Sequence, residues 1–321
     1  MSIAITTNNI DNDRIRWPDK KRFAFTIFDD TDGANLKDNQ LVYDYLNELN
    51  FKTTKSVWIK NGSHKEKKYP GITCEDKAYL NWLLELKNKG FEIGYHNTTY
   101  RSSYRQQTNL GLEKFKELFN QLPTVMANHD ANKENIYWGS YRLSESRRTI
   151  YNILTLFKKD QYYEGHDETS PYFWGDLCKK YITYVRKFVF SDINTLKYCP
   201  YMPYQDPTKP FVNYWFASSD GNNAKKFNKC ISNKNQDRLE KEGGACIMYT
   251  HFSDRFCDNG KLSEQFKVQM KRLSNKDGWF VPVSTLLEFL KKKNKTQIIN
   301  DEQKKALEWK WLLNKIISGV L

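Results

Sequence analysis

Two acids stand side by side, Asp29 and Asp30, directly after the run Phe23-Ala-Phe-Thr-Ile-Phe28 and before Thr31-Asp32-Gly33. The 321 residues hold five histidines, and three of them close short β-favouring stretches. These are Phe91-Glu-Ile-Gly-Tyr-His96, Thr124-Val-Met-Ala-Asn-His129 and Gly244-Ala-Cys-Ile-Met-Tyr-Thr-His251. Carboxylates and imidazoles in this company suit two kinds of chemistry: holding a divalent cation as a Lewis acid, and moving a proton at a reacting group. Successive strand side chains point to opposite sides, so Asp29 and Asp30 are expected to face different partners, one a metal and the other a reacting proton. The competing reading makes Asp30 or Asp32 a cap for a helix beginning near Leu36.

These groups have to be positioned by strands. The unbroken apolar run before Asp29 reads as a strand buried on both faces, as in a parallel sheet or barrel. Such folds carry their chemistry at the carboxyl ends of strands. Further strands are expected at 53–59, 181–190, 211–218 and 279–283, besides those ending in histidine. Between them fall helices at 40–50 (Leu41, Tyr45 and Leu49 on one face), 76–89 (stopped by Gly90), 109–121, 144–157, 228–242 and 262–275. A last core helix spans 284–293, with Ser284 as its cap. The segment 192–210, with its prolines, reads as a long loop. Alternating strands and helices with polar groups at strand ends give an α/β class, a barrel or an open sheet.

Composition narrows the partners. Lys and Arg number 51 against 38 Asp and Glu, a formal charge of +13 that suits nucleic acid, an anionic membrane or a phosphorylated substrate. The lysines are scattered, and no basic and aromatic recognition motif accompanies them, so nucleic acid is not expected as a partner. The six cysteines form no C-x-x-C pair, which argues against a zinc ribbon or a disulfide framework and for reduced thiols in a cytoplasmic protein. The first residues lack the apolar core of a signal peptide, and no run of about eighteen apolar residues is present. The segment 301–321 is a separate signal. Leu307, Trp309, Trp311, Leu312, Leu313, Ile316, Ile317 and Val320 alternate with Lys304, Lys305, Lys310 and Lys315. It reads as an amphipathic helix that lies on a membrane, docks on the barrel or pairs with a second subunit.

Phe28-Asp29-Asp30 after a strand, Gly94-Tyr-His96, the late strand ending Tyr249-Thr-His251 and the closing Gly278-Trp-Phe-Val-Pro-Val-Ser-Thr-Leu-Leu-Glu288 together resemble the polysaccharide deacetylase family and its NodB-homology barrel. The resemblance spans residues 22–292, with 1–21 as a lead-in and 293–321 as the appended C-terminal helix. It implies a distorted (β/α) barrel with long loops and a metal-dependent hydrolase that removes an N-acyl group, acetyl or formyl, from a sugar of a surface or lipid-linked glycan. It also implies Asp29 as catalytic base, Asp30 as metal ligand and His251 as the acid that protonates the departing amine. The family's second motif carries two histidines four apart. Here the first is His96 and the fourth residue beyond is Tyr100, so the motif is altered.

A cation used as a Lewis acid wants three protein ligands and open positions. Asp30 and His96 supply two, and His129 is the expected third, with zinc the expected metal. Tyr100 is a poor ligand, His166 a weaker candidate, and His64 is expected only to order its charged loop. Asp220, in Ser219-Asp-Gly221, either orients His251 or serves a turn. Asn128, Trp138, Arg186, Tyr249 and Thr250 are expected to meet the substrate, with Trp174, Tyr204 and Asn194 as further candidates. A barrel that binds a glycan without metal or turnover is the alternative.

Overall fold

A strand that is apolar on both faces must be covered on both, and this chain meets the requirement by closing its strands into a ring. The computed structural model describes residues 15–62, 71–130, 132–157, 163–294 and 297–319. Seven strands form the ring: β1 (Phe23–Asp29), β2 (Thr54–Val57), β3 (Glu92–Tyr95), β4 (Val125–Met126), β5 (Tyr184–Phe190), β6 (Tyr214–Asp220) and β7 (Ala245–Thr250). Each pairs in parallel with the next, and β1 also pairs with β7 from Ala24 opposite Ala245 to Asp29 opposite Thr250, which closes the barrel. Every residue of β1 and of β5 is buried, as the apolar run of β1 requires, while the buried Arg186 and Lys187 of β5 pair with Asp30 and Asp206.

Helices wrap the outside: α1 (Leu36–Glu48), α2 (Lys77–Asn88), α3 (Arg105–Phe119), α4 (Glu145–Leu154), α5 (Gly175–Tyr181), α6 (Thr195–Tyr198), α7 (Ala224–Cys230), α8 (Asn233–Glu242), α9 (Glu264–Ser274), α10 (Val283–Lys293) and α11 (Asp301–Ser318). Three details depart from the sequence expectation. The helix expected over 228–242 is two helices, broken at Ile231 and Ser232. The strand expected at 279–283 shrinks to Gly278–Trp279 beside the start of β1, because Pro282 cannot donate to a ladder and instead opens α10. Ser284 therefore lies inside α10, where its backbone N–H donates to Glu92 Oε2 (3.1 Å).

α11 is docked on the barrel. Its Leu307, Trp311 and Leu312 are buried, and Glu308 accepts from the backbone N–H and hydroxyl of Ser144 and from Arg147 Nε (2.5 Å). Trp309, Leu313, Ile316 and Ile317 face outward, the last 85% exposed. No helix among the described residues is long and apolar enough to cross a membrane.

One buried ion pair locks the outer layer to the ring. Asp29 Oδ2 lies 2.8 Å from Lys55 Nζ of β2 and accepts from Tyr43 of α1 (3.1 Å), while Oδ1 accepts from the Phe252 backbone (3.0 Å). Burial pushes the Asp29 carboxyl up, and Lys55 pulls it back. Removing one partner leaves a charge stranded in the interior. Asp29→Ala or Lys55→Met is expected to cost about 3–5 kcal/mol in urea denaturation. The double variant is expected to cost less than the sum; a loss of under about 1 kcal/mol for either single change contradicts the pairing.

Candidate metal centre

Parallel strands release all their carboxyl ends at one mouth, and that mouth holds a cavity of 860 Å³. Asp30 and Asp32 reach it from the loop after β1, His96 from the end of β3, His129 from just beyond β4 and Arg186 from β5. Tyr249 and His251 come from β7 and its end. Gly33, at φ +65°, turns the chain immediately after Asp32.

Asp32 is the focus. Its Oδ1 lies 3.2 Å from His129 Nε2 and 3.5 Å from His96 Nε2, and its Oδ2 lies 2.9 Å from His251 Nε2. The far side of each ring settles which nitrogen carries hydrogen. His96 Nδ1 meets the Ala127 carbonyl (2.9 Å) and His251 Nδ1 meets the Asn222 carbonyl (2.8 Å); a carbonyl only accepts, so both Nδ1 atoms donate. His129 Nδ1 meets Asn132 Oδ1 (2.9 Å). The amide of Asn132 is fixed that way round because its Nδ2 faces the carbonyls of Thr99 and Arg101 and the carboxylate of Glu134. In their neutral state the three rings would thus turn three Nε2 electron pairs toward one carboxylate. His96 Nε2 and Asp32 Oδ1 are buried without a hydrogen-bond partner.

Electron pairs facing electron pairs repel unless positive charge lies between them. Added protons would answer this in part. Burial alone would hold His251 and His129 low and Asp32 high, yet their mutual attraction wins: His251 rises to about 9, His129 rises, and Asp32 falls well below the usual carboxylate range. A divalent cation answers it fully, and the mixed carboxylate and imidazole donors fit one. The neighbouring acids point the same way. Asp29 has Lys55, and Asp30 has Arg186, which donates to both its oxygens (3.0 and 2.5 Å). Among the described residues, Asp32 has imidazoles alone. Asp30, Asp32 and His251 also bring one donor atom each within 4.8 Å of one another. Asp30, however, gives both oxygens to the Arg186 fork, and His251 Nε2 also meets the Tyr249 hydroxyl (3.2 Å). His96 Nε2 also lies 3.9 Å from Asp30 Oδ2 and His129 Nε2 faces Asp32, so both imidazoles join Asp32 as candidate ligands beside the Asp30 and His251 donors.

A buried network supports His129. Asn97, at φ +61° directly after His96, accepts from the His129 backbone N–H (3.0 Å) and donates to Glu134 and Asn135. Burial lifts the Glu134 carboxyl to about 7.

The structure places the other expected residues as follows. Asp29 does not reach the cavity; it turns outward to Lys55 and Tyr43, opposite in side to Asp30, as strand alternation requires. Asp220 lines the cavity but pairs with Lys226 (3.1 Å) and accepts from the Asn222 backbone (3.3 Å), so the group that orients His251 is the Asn222 carbonyl. Asn128 lines the wall with its amide spent on the Ile136 backbone at both ends. Trp138 lines it and donates to Asp130 (3.2 Å). Arg186 and Tyr249 stack at 4.3 Å on the far side of Asp30. The Thr250 side chain is fully buried off the cavity.

Tyr100 donates to the Gly62 carbonyl (3.4 Å) and packs on Trp58, outside the cavity lining. His166 lies between Tyr137 and Tyr141, where burial lowers it to about 4. Trp174 and Tyr204 are core residues, and Asn194 caps α6. His64 falls outside the described residues. Asp32 escaped the sequence reading as a ligand. Its signal was the two-residue spacing from Asp30, which keeps a side chain on the same side of an extended backbone.

Neither a family model nor a curated protein matches the sequence. Among solved structures, a protein of Mycobacterium smegmatis described as a polysaccharide deacetylase aligns at TM-score 0.51 and 14% identity, over 89% of this chain and 96% of that one. One of Pseudomonas aeruginosa PAO1 with the same description aligns at 0.48 and 11%, over 88% and 95%. Puue allantoinase aligns at 0.49 and 10%, over 85% and 91%. The first of these likenesses shows the fold, a (β/α) barrel of the polysaccharide deacetylase type.

The donor set makes a direct prediction. Titration with Zn²⁺ in a calorimeter is expected to show one tight site that weakens as pH falls and the imidazoles take up protons. Asp32→Asn, His96→Ala and His129→Ala are each expected to abolish it, and His166→Asn to keep it. Undiminished binding by Asp32→Asn contradicts the assignment.

Proposed function

We propose that the chain is a metal-dependent hydrolase that removes an N-acyl group, acetyl or formyl, from a sugar of a surface or lipid-linked glycan. The observation that carries this reading is the set of three imidazoles whose Nε2 atoms converge on Asp32 beside the Asp30–Arg186 pair. Asp32, His96 and His129 would hold the cation, and the mixed nitrogen and oxygen ligands favour zinc. Bound there, it supplies Lewis acidity toward the acyl carbonyl and a water of lowered pKa.

The remaining groups divide the proton work. Asp30 is the base: its carboxylate faces the cavity, and the Arg186 fork fixes its orientation. The base role moves from Asp29 to Asp30, and the ligand role from Asp30 to Asp32. His251 is the acid. The Asn222 carbonyl keeps a hydrogen on Nδ1, so the proton that comes and goes sits on Nε2, the atom that faces Asp32 and the Tyr249 hydroxyl. The Arg186 guanidinium lies 4.3 Å from the Tyr249 ring, and Trp138 lines the same cavity, where a sugar would lie.

A second reading has its own support. Tyr100 stands where the resemblance expects a histidine, and it packs on Trp58 instead of facing Asp32. A barrel with a weakened site would bind a glycan without turning it over. The two readings separate on N-acetylated chitin oligosaccharides supplied with Zn²⁺. Release of acetate by the wild type, with Asp30→Asn slower by about 100- to 10,000-fold yet still holding the cation, is expected for the hydrolase. Binding of the oligosaccharide with no acetate released supports the binding barrel instead.

The outward face of α11 supports peripheral contact with an anionic membrane. Trp309, Leu313, Ile316 and Ile317 are exposed together with Lys305 and Lys310, and the one acid among 303–318, Glu308, is buried. Co-sedimentation with phosphatidylglycerol vesicles is expected for the wild type and not for Ile316→Asp/Ile317→Asp. Equal sedimentation of the two proteins removes this contact.

A further inference from the structure

Arg142 lines the cavity and is held with unusual firmness for a side chain that makes no ion pair among the described residues. Its guanidinium lies 4.2 Å from the Trp138 ring and 4.7 Å from the Trp311 ring, so two indoles clasp it, one from the β4–α4 connection and one from α11. Nε donates to the Gly139 carbonyl (3.1 Å) and Nη1 to the Lys187 carbonyl (3.5 Å). Nη2 makes no hydrogen bond among the described residues and is not among the buried unsatisfied atoms. Lys315 of α11 lies over the same Trp311 ring at 5.9 Å and lines the same cavity.

Two other cavity cations are matched to carboxylates. Arg186 takes Asp30, and Lys226 takes Asp220. Asp130 lines this wall too, but it accepts from Trp138 Nε1 and forms no ion pair with Arg142. A guanidinium fixed by aromatic faces and backbone carbonyls, with a donor turned free, is already arranged for an incoming anion.

We infer that the cavity recognises an acidic group on the substrate, a phosphate ester or a carboxylate, through Arg142 with Lys315 as a second cation. The inference rests on the hydrolase reading only in placing the N-acylated sugar in this cavity. It adds that the sugar carries a negative charge on the side facing α11, away from the Asp32 cluster at the strand ends. A purely structural role, in which Arg142 fastens α11 to the barrel, predicts no such preference.

The test compares N-acetylglucosamine, N-acetylglucosamine-1-phosphate and N-acetylmuramic acid, by calorimetric binding to the Zn²⁺-loaded full chain and by acetate release. The expected result is an advantage of about tenfold or more for at least one acidic sugar, the size of a charge-assisted hydrogen bond. Which acid gains tells phosphate from carboxylate. Arg142→Gln is expected to erase the advantage and Arg142→Lys to keep part of it. Equal affinity for neutral and acidic sugars overturns the inference. So does an advantage that survives Arg142→Gln while its unfolding midpoint drops, the mark of a mere fastener. Should no sugar be hydrolysed while the Arg142-dependent preference in binding persists, the hydrolase reading fails and the anion subsite stands.

Discussion

A carboxylate facing three imidazole Nε2 atoms is held together by positive charge placed among them, as protons or as a cation, and the rest of the mouth follows from that constraint. Asp32 sits within 3.5 Å of His96, His129 and His251, and each ring is turned by an acceptor behind it. The acceptors are two backbone carbonyls and an asparagine amide, all fixed by the fold. Nothing short of rebuilding those loops would rotate the rings away. The tautomers, the burial and the convergence therefore act as one arrangement, and removal of any acceptor would loosen it.

The end of β1 and the loop after it carry three acids, and each is balanced in its own way. Asp29 lies outside the ring and is answered by Lys55, which makes it a structural tie between barrel and helix layer. Asp30 faces the cavity and is answered by the Arg186 fork, which donates to both its oxygens. Asp32 has no permanently charged side chain against it, so its counter-charge has to come as protons or as a cation. One sequence motif is thereby split into a structural tie, a guanidinium-paired acid and an imidazole-facing acid by strand alternation and a glycine turn. α11 belongs to the same construction, because its Trp311 and Lys315 complete a wall of the cavity.

Much of this was legible from residue patterns. The apolar run before Asp29 and the three strand-ending histidines announced parallel strands with chemistry at one end, and the closed ring gathers those ends as such strands must. Asp32 was not legible as a ligand because its position depends on the path of a turn, and Asp next to Gly is equally good turn chemistry. The orientation of His251 hid for a similar reason: the orienting group is the backbone carbonyl of Asn222, and backbone groups leave no mark in sequence. Thr250 looked exposed to substrate by its place at a strand end, but its side chain points to the covered side of β7. The double character of α11, with one apolar face buried and another outward, blurred its periodicity until the buried Glu308 showed which side docks.

The most direct measurement is an anomalous difference map from crystals grown with Zn²⁺, collected at the zinc edge. A single strong peak about 2.0–2.2 Å from an Asp32 oxygen and from Nε2 of both His96 and His129 is the predicted result. No peak at the mouth, with the three rings instead donating to Asp32 as imidazolium ions, would contradict the account.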